Sequence, residues 1–327
     1  MSKQSGCKAI LLLLCVLLLT GCAASPPGTV VRKDPADQYL ISADTQGLDP
    51  DHRRVTLYFR WNATDCLAPE SRIMDVPRNE SAEKALVQAL IDGPSAGGAG
   101  LTGLFPPGTE VLAVTVQGDT LFVTFNEALL GRYGDEPGDV SGEPWRTESP
   151  LRRRLCMDAL TASLTEAGYC AQVQVLVLRP SAQGTSMRLP ESFFTRNGED
   201  DGLLPPFTRR EDAILTPHRT AALILDSWIT QDYETLYDLV AREGLTARPG
   251  EQAALDGFAA ARSLTGYEGL TAGSVSYDGQ RATLTVDLRF RGQDGDGERA
   301  GWPLRLIREG GLWKMDYEQL MAMMNGY

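Results

Sequence analysis

The first feature of the hydrophobic pattern is one apolar run, Ile10–Leu19, almost all leucine, with Lys3 and Lys8 ahead of it. It is about half the ~20 residues that a helix needs to cross a bilayer. It therefore reads as the apolar stretch of a signal peptide over residues 1–21, not as a permanent span. Leu19-Thr20-Gly21-Cys22 closes it. A branched apolar residue, two small residues and a cysteine form a lipobox pattern, in which the Cys22 thiol takes a diacylglyceryl group. The alternative is an ordinary cleavage site that happens to hold a cysteine. Residues 22–53 are polar, carry Pro26, Pro27, Pro35 and Pro50, and sustain no periodicity, so they read as a tether. No later run is long and apolar enough to span, which leaves the lipid as the expected anchor.

Beyond the tether the pattern switches to structured periods. Val55–Trp61 alternates and is rich in strand formers, and Leu67–Val76 predicts a second extended segment. Residues 80–92 carry Ala82, Ala85, Leu86, Ala89 and Leu90 at helical spacing, with Asn79 or Ser81 as cap and Gly93-Pro94 as stop. A glycine-rich loop, 95–103, leads to Pro106-Pro107-Gly108-Thr109. A hairpin follows, with strands 110–116 and 120–126 about Gln117-Gly118-Asp119. Residues 131–149 are polar and Gly/Pro-rich. Pro150–Ala167 predicts a helix with Leu151, Leu155, Ala159, Leu160 and Leu164 on one face, and 172–178 a last strand. The order β-β-α-β-β-α-β is α+β, with helices on one face of a small mixed sheet.

The strand Val55-Thr-Leu-Tyr-Phe59, Leu67-x-x-Glu70-x-Arg72, the helix end at Gly93-Pro94, the run Leu104-Phe-Pro-Pro-Gly-Thr109 and Val123-Thr-Phe-Asn126 together resemble the GerMN domain. The resemblance covers residues 54–180. That domain is similar to ring-building motifs of sporulation and secretion assemblies, so the resemblance implies a module that stacks side by side with others. The long loop 131–149 departs from the compact family pattern.

Residues 181–215 are mixed in character and predict a linker between two independently folding domains. Thr216-Pro217 is a helix start, cap then first turn. Helices are predicted to about Thr230, over 233–241 and over 251–264, followed by strands near 270–277, 281–290, 302–308 and 312–316. Three helices before a curved antiparallel sheet predict a cone-shaped α+β domain over 216–327. Ser227-Trp228-x-x-x-Asp232-Tyr233-x-x-Leu236-Tyr237 and Gly311-Leu312-Trp313-Lys314-Met315-Asp316 resemble the nuclear-transport-factor-two-like superfamily. They are most similar to the MecA-type, non-catalytic N-terminal domain of penicillin-binding proteins.

Charge narrows the partners. The formal charge is -12, and removing residues 1–21 takes away two lysines and no acids, leaving -14. So acidic a surface disfavours nucleic acid, which needs Lys and Arg to replace phosphate counterions, and disfavours lying flat on anionic lipid. Beyond the signal peptide four cysteines remain, Cys22, Cys66, Cys156 and Cys170. With Cys22 lipidated the rest are odd in number and widely spaced, which reads as buried thiols more readily than as a disulfide framework. A Cys66–Cys170 pair stays open.

Candidate chemistry is sparse, and no catalytic residue, metal site or cofactor is expected. His52 and His218 have no partner at ligand spacing in the sequence. Gly97-Gly98-Ala99-Gly100 lacks the Lys-Ser/Thr of a phosphate loop. Asp294-Gly295-Asp296-Gly297-Glu298 lacks the distal ligand of a calcium loop. Glu70 and Arg72 read as a surface ion pair or a small binding pair. Trp228, Tyr237 and Trp313 either pack the core or line a pocket at the cone mouth. Glu83, Lys84, Gln88, Arg152, Arg153 and Asp158 fall on the outer helix faces. Arg152 and Arg153 are the candidate protein contact, against the plainer reading of a solvated face. The expected function is that of a non-catalytic, lipid-anchored, extracytoplasmic module of a Gram-positive envelope, contacting envelope proteins or its own copies, in sporulation or germination. The rival is a lipoprotein that holds a wall fragment or a small amphiphile in the C-terminal cone.

Overall fold

The computed structural model describes residues 52–95, 100–137, 142, 145–179, 184–195, 202–244, 247–292 and 295–326. The segments read as signal peptide and tether, with Cys22, lie outside them up to residue 51, as do Ala99 and Asp294. No helix of the described residues is long and apolar enough to cross a membrane.

The architecture is α+β, with two hydrophobic cores. In the first, β1 (His52–Trp61) pairs antiparallel with β2 (Leu67–Asp75) and, at its far end, with the short β3 (Leu101–Thr102). A second sheet has the order β4-β5-β6-β7: β4 (Val111–Gln117), β5 (Thr120–Phe125), β6 (Gln172–Arg179) and β7 (Thr185–Arg188). β5 and β6 run parallel, which requires the long crossover supplied by α2. β8 (Phe207–Thr208) pairs with the start of β6. The single five-stranded sheet expected from the sequence is therefore two sheets. The stretch 181–215, read as a linker, contributes β7, the short α3 (Ser192–Thr195) and β8 to the first domain. Its polar composition suits edge strands as well as it suits a linker.

α1 (Ala82–Asp92) is capped by the Ser81 side chain, which accepts from the Lys84 amide, and buries Ala85, Leu86, Val87 and Leu90. α2 spans Trp145–Glu166, five residues earlier than the helix predicted from Pro150. From Leu155 to Leu164 every residue is buried, because α2 touches β1 on one side and α1, α3, β6 and β8 on others. Small polar residues survive there by closing on their own helix. The hydroxyls of Thr161 and Ser163 donate to the carbonyls of Met157 and Ala159, each at 2.8 Å.

The second core is built by α4 (Pro217–Thr230), α5 (Tyr233–Asp238), α6 (Glu251–Ala260) and a curled antiparallel sheet. The sheet comprises β9 (Ser263–Glu268), β10 (Ser274–Val275), β11 (Arg281–Gly292), β12 (Gly295–Glu309) and β13 (Leu312–Met315). Along β11 the alternation is strict from Arg281 to Phe290, with Ala282, Leu284, Val286, Leu288 and Phe290 inward. Two differences from the sequence reading stand out. Residues 263–264, assigned to a helix, begin β9. A final helix α7 (Tyr317–Asn325), capped by Asp316, closes the core with Leu320, Met323 and Met324. The signals for α7 were present as an acidic cap and helical spacing of apolar residues.

The two cores are not separate bodies. The end of the β1–β2 hairpin leaves the first domain and seats Trp61, Cys66 and Ala68 in the second core, among Ala221, Ile224 and Leu225. The Leu215 amide donates to the Leu67 carbonyl at 2.9 Å, and Arg219 reaches both Asp65 oxygens at 2.9 Å. The described residues accordingly form one compact unit.

Candidate functional site

At the hairpin end, Asn62 and Ala63 both take left-handed φ, 44° and 57°, which non-glycine residues adopt at a cost. Buried Arg60 holds that turn. Its Nε donates to the Thr64 carbonyl at 2.7 Å and its Nη2 to the Ala63 carbonyl at 2.6 Å. The rest of the guanidinium meets Glu148 of α2 at 2.5 and 3.1 Å. Gly100 closes the same turn. Its carbonyl accepts from the Asn62 amide at 2.7 Å, its φ is +75°, and a Cβ there would collide with Asn62 Oδ1 at 1.9 Å.

Glu148 also accepts from Arg152 Nε at 2.6 Å, and Arg152 forks onto Asp135 at 2.6 and 2.9 Å. The Arg152 guanidinium lies over the rings of Tyr133 and Trp145 at 5.5 and 5.2 Å. Burial works against ionisation of Glu148, but hydrogen bonds from Arg60 and Arg152 hold it below its ordinary range; Asp135 is lowered first by its bond to Arg152. These contacts explain why α2 starts before Pro150: its first turn is fixed by distant partners.

The predicted outward contact face needs correcting. Arg153 is 2% exposed, donates to the Gly131 carbonyl at 2.6 Å and stacks on Phe193 at 4.9 Å. Asp158 is also buried. Both face inward because α2 is enclosed on more sides than one apolar stripe implied. Arg152 reaches the surface but is committed to two carboxylates and two rings. Charge reversal at either arginine would therefore disturb the fold.

The aromatics proposed for the cone mouth are also placed in the packing. Trp228 and Trp313 are 1% and 4% exposed, and Trp228 Nε1 donates to the Arg262 carbonyl at 2.8 Å. Tyr237 donates to the Pro249 carbonyl at 3.1 Å under the guanidinium of Arg248. None of the three lines the open groove of the C-terminal domain. That groove, about 830 Å³, lies between α7 and the β11–β12 ladder and is lined by Arg281, Thr283, Trp302, Arg305, Asp316 and Gln319. The sequence offered no signal for it, since its residues come from strands and a helix read separately.

The family-like residues turn out to be ties. Arg72 Nε meets Glu70 at 2.6 Å, Arg72 Nη2 reaches the Gly93 carbonyl at 3.0 Å, and Glu70 accepts from the Ser95 amide at 3.0 Å. The pair thus pins the end of α1 to β2. The Thr109 hydroxyl donates to the Pro106 carbonyl at 2.7 Å, and Asn126 bridges Gly108 and Glu110. His52 pairs with Asp75 at 3.1 Å on the surface. Cys66, Cys156 and Cys170 are free thiols, so the Cys66–Cys170 bridge is not formed. Burial pushes the Cys66 and Cys170 thiols up to about 11. No group of three His, Cys, Asp or Glu among the described residues is placed to hold a metal ion.

A cleft of about 580 Å³ opens where α2, α4 and the segment before α4 meet. Asp158 faces it, with Arg210 Nη1 at 3.3 Å, Asp212 beyond that arginine, and Arg154, His218 and Arg219 around the rim. Burial raises Asp158 to about 6, against the attraction of Arg210. A carboxyl raised on folding stabilises the fold below its unfolded value of about 4 and loses that contribution as pH climbs through about 6. Asp158→Asn is therefore expected to raise stability at pH 7.5 by about 1–2 kcal/mol and to flatten the stability profile between pH 4 and 6. Thermal melts across that range test this, and a loss of stability at pH 7.5 would contradict it.

Comparison with known proteins places this geometry. Residues 56–177 match the family model described as Germane, sporulation and spore germination. No curated protein matches the chain. Among solved structures it is similar to a candidate lipoprotein from Clostridium perfringens, at 18% identity over 50% of this chain and 94% of that one, with TM-score 0.27. It is also similar to the tandem GerMN domains of the sporulation protein GerM from Bacillus subtilis, at 16% identity over 51% of this chain and 50% of that one, TM-score 0.30. The first GerMN domain of that protein aligns at 13% identity over 49% of this chain and 99% of its own, TM-score 0.32. The family match ends at Val177 and does not extend to the C-terminal domain. Over residues 56–177, this chain is similar to the Germane family of sporulation and spore germination.

Proposed function

We propose that the protein is held at the extracytoplasmic face of the cytoplasmic membrane by a diacylglyceryl group on Cys22, and that it acts without turnover as a contact module of a Gram-positive envelope during sporulation or germination. The observation that carries this reading is the match of residues 56–177 to a sporulation and germination family. The lipobox at Leu19–Cys22 supports the anchor, and the tether lets a strongly acidic body stand off anionic lipid. Its partners on this reading are envelope proteins or further copies of itself, not nucleic acid.

Cys22→Ala tests the anchor. The variant is expected to lose label from a fatty-acid analogue and either leave the membrane fraction or persist as an uncleaved precursor. Undiminished labelling would remove the lipid from Cys22. Heat-resistant spore counts from cells lacking the protein test the role, and unchanged spore formation and germination would remove it.

A second reading is favoured by one observation, the groove of about 830 Å³ beside α7. An indole, guanidinium groups and an amide around one opening suit a wall glycan fragment. On this reading soluble glycan fragments raise the melting temperature, and Arg305→Ala abolishes the rise.

A further inference from the structure

β4 ends its sheet: one edge pairs with β5, and the other meets no strand among the described residues. An open row of backbone N–H and C=O groups templates pairing with another chain, so edge strands are commonly blunted by charge, proline or shortness. Other edges here are treated that way. β2 carries Pro69, Glu70, Arg72 and Asp75, β7 is four residues ending in Arg188, and β10 is two residues. β4 reads Val-Leu-Ala-Val-Thr-Val-Gln, seven residues without a charge or a proline. Its Leu112 and Val116 are 38% and 51% exposed.

We propose that β4 is the seam of a homodimer, pairing antiparallel with β4 of a second copy about a two-fold axis through Val114. The register follows from the hairpin. β4 and β5 are joined by the two residues Gly118-Asp119, with Gly118 at φ +61°. In such a hairpin the closing pair, here Gln117 and Thr120, bond to each other. Alternate residues Val116 and Val114 then direct their N–H and C=O groups away from β5. A two-fold through Val114 places it opposite its own copy and sets Leu112 against Val116 of the second copy. The exposed apolar side chains thereby cover one another. Leu112 is free to turn that way because it sits in the bulge between Val111 and Ala113, opposite no residue of β5. Ala113 falls opposite Thr115.

Charge favours this seam for a like copy. The chain holds 43 acidic and 31 basic residues, so two copies repel where their charged faces meet. Residues 111–117 pair without a charge, and the two-fold sets Glu110 opposite the uncharged Gly118 of the second copy. This inference deepens the contact-module reading and rests on it, by naming the contact face and one occupant.

The test is the mass of the full-length protein in detergent micelles, by analytical ultracentrifugation with the detergent density-matched. The wild type is expected to be dimeric. Val116→Pro removes one outward N–H and spares the β4–β5 ladder, and Val116→Lys puts a cation on the seam. Each is expected to weaken the dimer about tenfold or more with the melting curve of the monomer unchanged. The register has its own test. An equimolar mixture of Ala113→Cys and Thr115→Cys proteins, mildly oxidised, is expected to crosslink well beyond either variant alone. The reason is that a non-hydrogen-bonded pair brings the Cα atoms to about 4.5 Å. A wild type that stays monomeric at every concentration overturns the proposal, as does a dimer that survives both Val116 variants. Equal crosslinking in the mixture and in the single variants overturns the register. Capture of a different envelope protein by a monomeric chain would sink the homodimer and leave the contact-module reading standing.

Discussion

Trp61→Ala is expected to cost about 3–5 kcal/mol and to lower the stability of both domains together. Trp61 belongs to the first sheet by sequence and pairing, yet it is 2% exposed and packs in the second core. Its removal leaves a cavity in the second core. The same loss loosens the hairpin end, through which Leu67 bonds Leu215 and Asp65 bonds Arg219. Urea unfolding of the purified protein, followed by far-ultraviolet dichroism and by near-ultraviolet signals, should show one transition in the wild type and one shifted transition in the variant. Two transitions, with only one of them moved, would mean that the domains fold independently and that the shared hairpin contributes little. The second domain made alone, from residue 216, lacks the Trp61, Cys66 and Ala68 plug and is expected to expose the vacated surface and aggregate.

Arg60→Ala is expected to be about as damaging, on the order of 3–5 kcal/mol. The arginine is 4% exposed, and its guanidinium bonds the Ala63 and Thr64 carbonyls and both oxygens of Glu148. Truncation leaves two carbonyls of a left-handed turn without their donor and shifts Glu148 onto Arg152 alone. The penalty arises from the stranded partners more than from the lost attraction. Arg60→Lys separates geometry from charge. A lysine keeps the cation but cannot serve three acceptors in a planar fork, so it is expected to recover less than half of the loss. Equal stability of the Lys variant and the wild type would show that charge alone holds the turn. A loss below about 1 kcal/mol for the Ala variant would show that the turn is held by its backbone.

The two substitutions meet at one place, which clarifies how this chain is organised. A five-residue turn between β1 and β2 is fixed from the α2 side by Arg60 and Glu148 and from the second domain by Asp65 and Asn62. Asn62 reaches Asp238 at 2.5 Å across 176 positions of sequence. The junction cleft with Asp158 lies beside it, so changes in charge at the cleft act where the two cores join.

Much of this was legible from residue pattern alone. The alternation of β5 and β11 follows from the two-residue period of a strand with one face covered. α1 and α4 are marked by side-chain caps and by Pro217, and the β4–β5 turn by Gly118. Each of these depends on neighbours a few positions away, and the sequence by itself determined them. Tertiary structure decided what depends on distant partners. It set the start of α2 through Glu148 and Arg60, 88 positions apart. It turned Arg153 and Asp158 inward by packing strands and helices on several sides of α2. It split the expected sheet in two, gave β7, α3 and β8 to the first domain, and placed Trp61 in the core of the second. A helix surface that alternates charge and apolarity looks solvated until the elements that cover it are known, and those elements lie elsewhere in the chain.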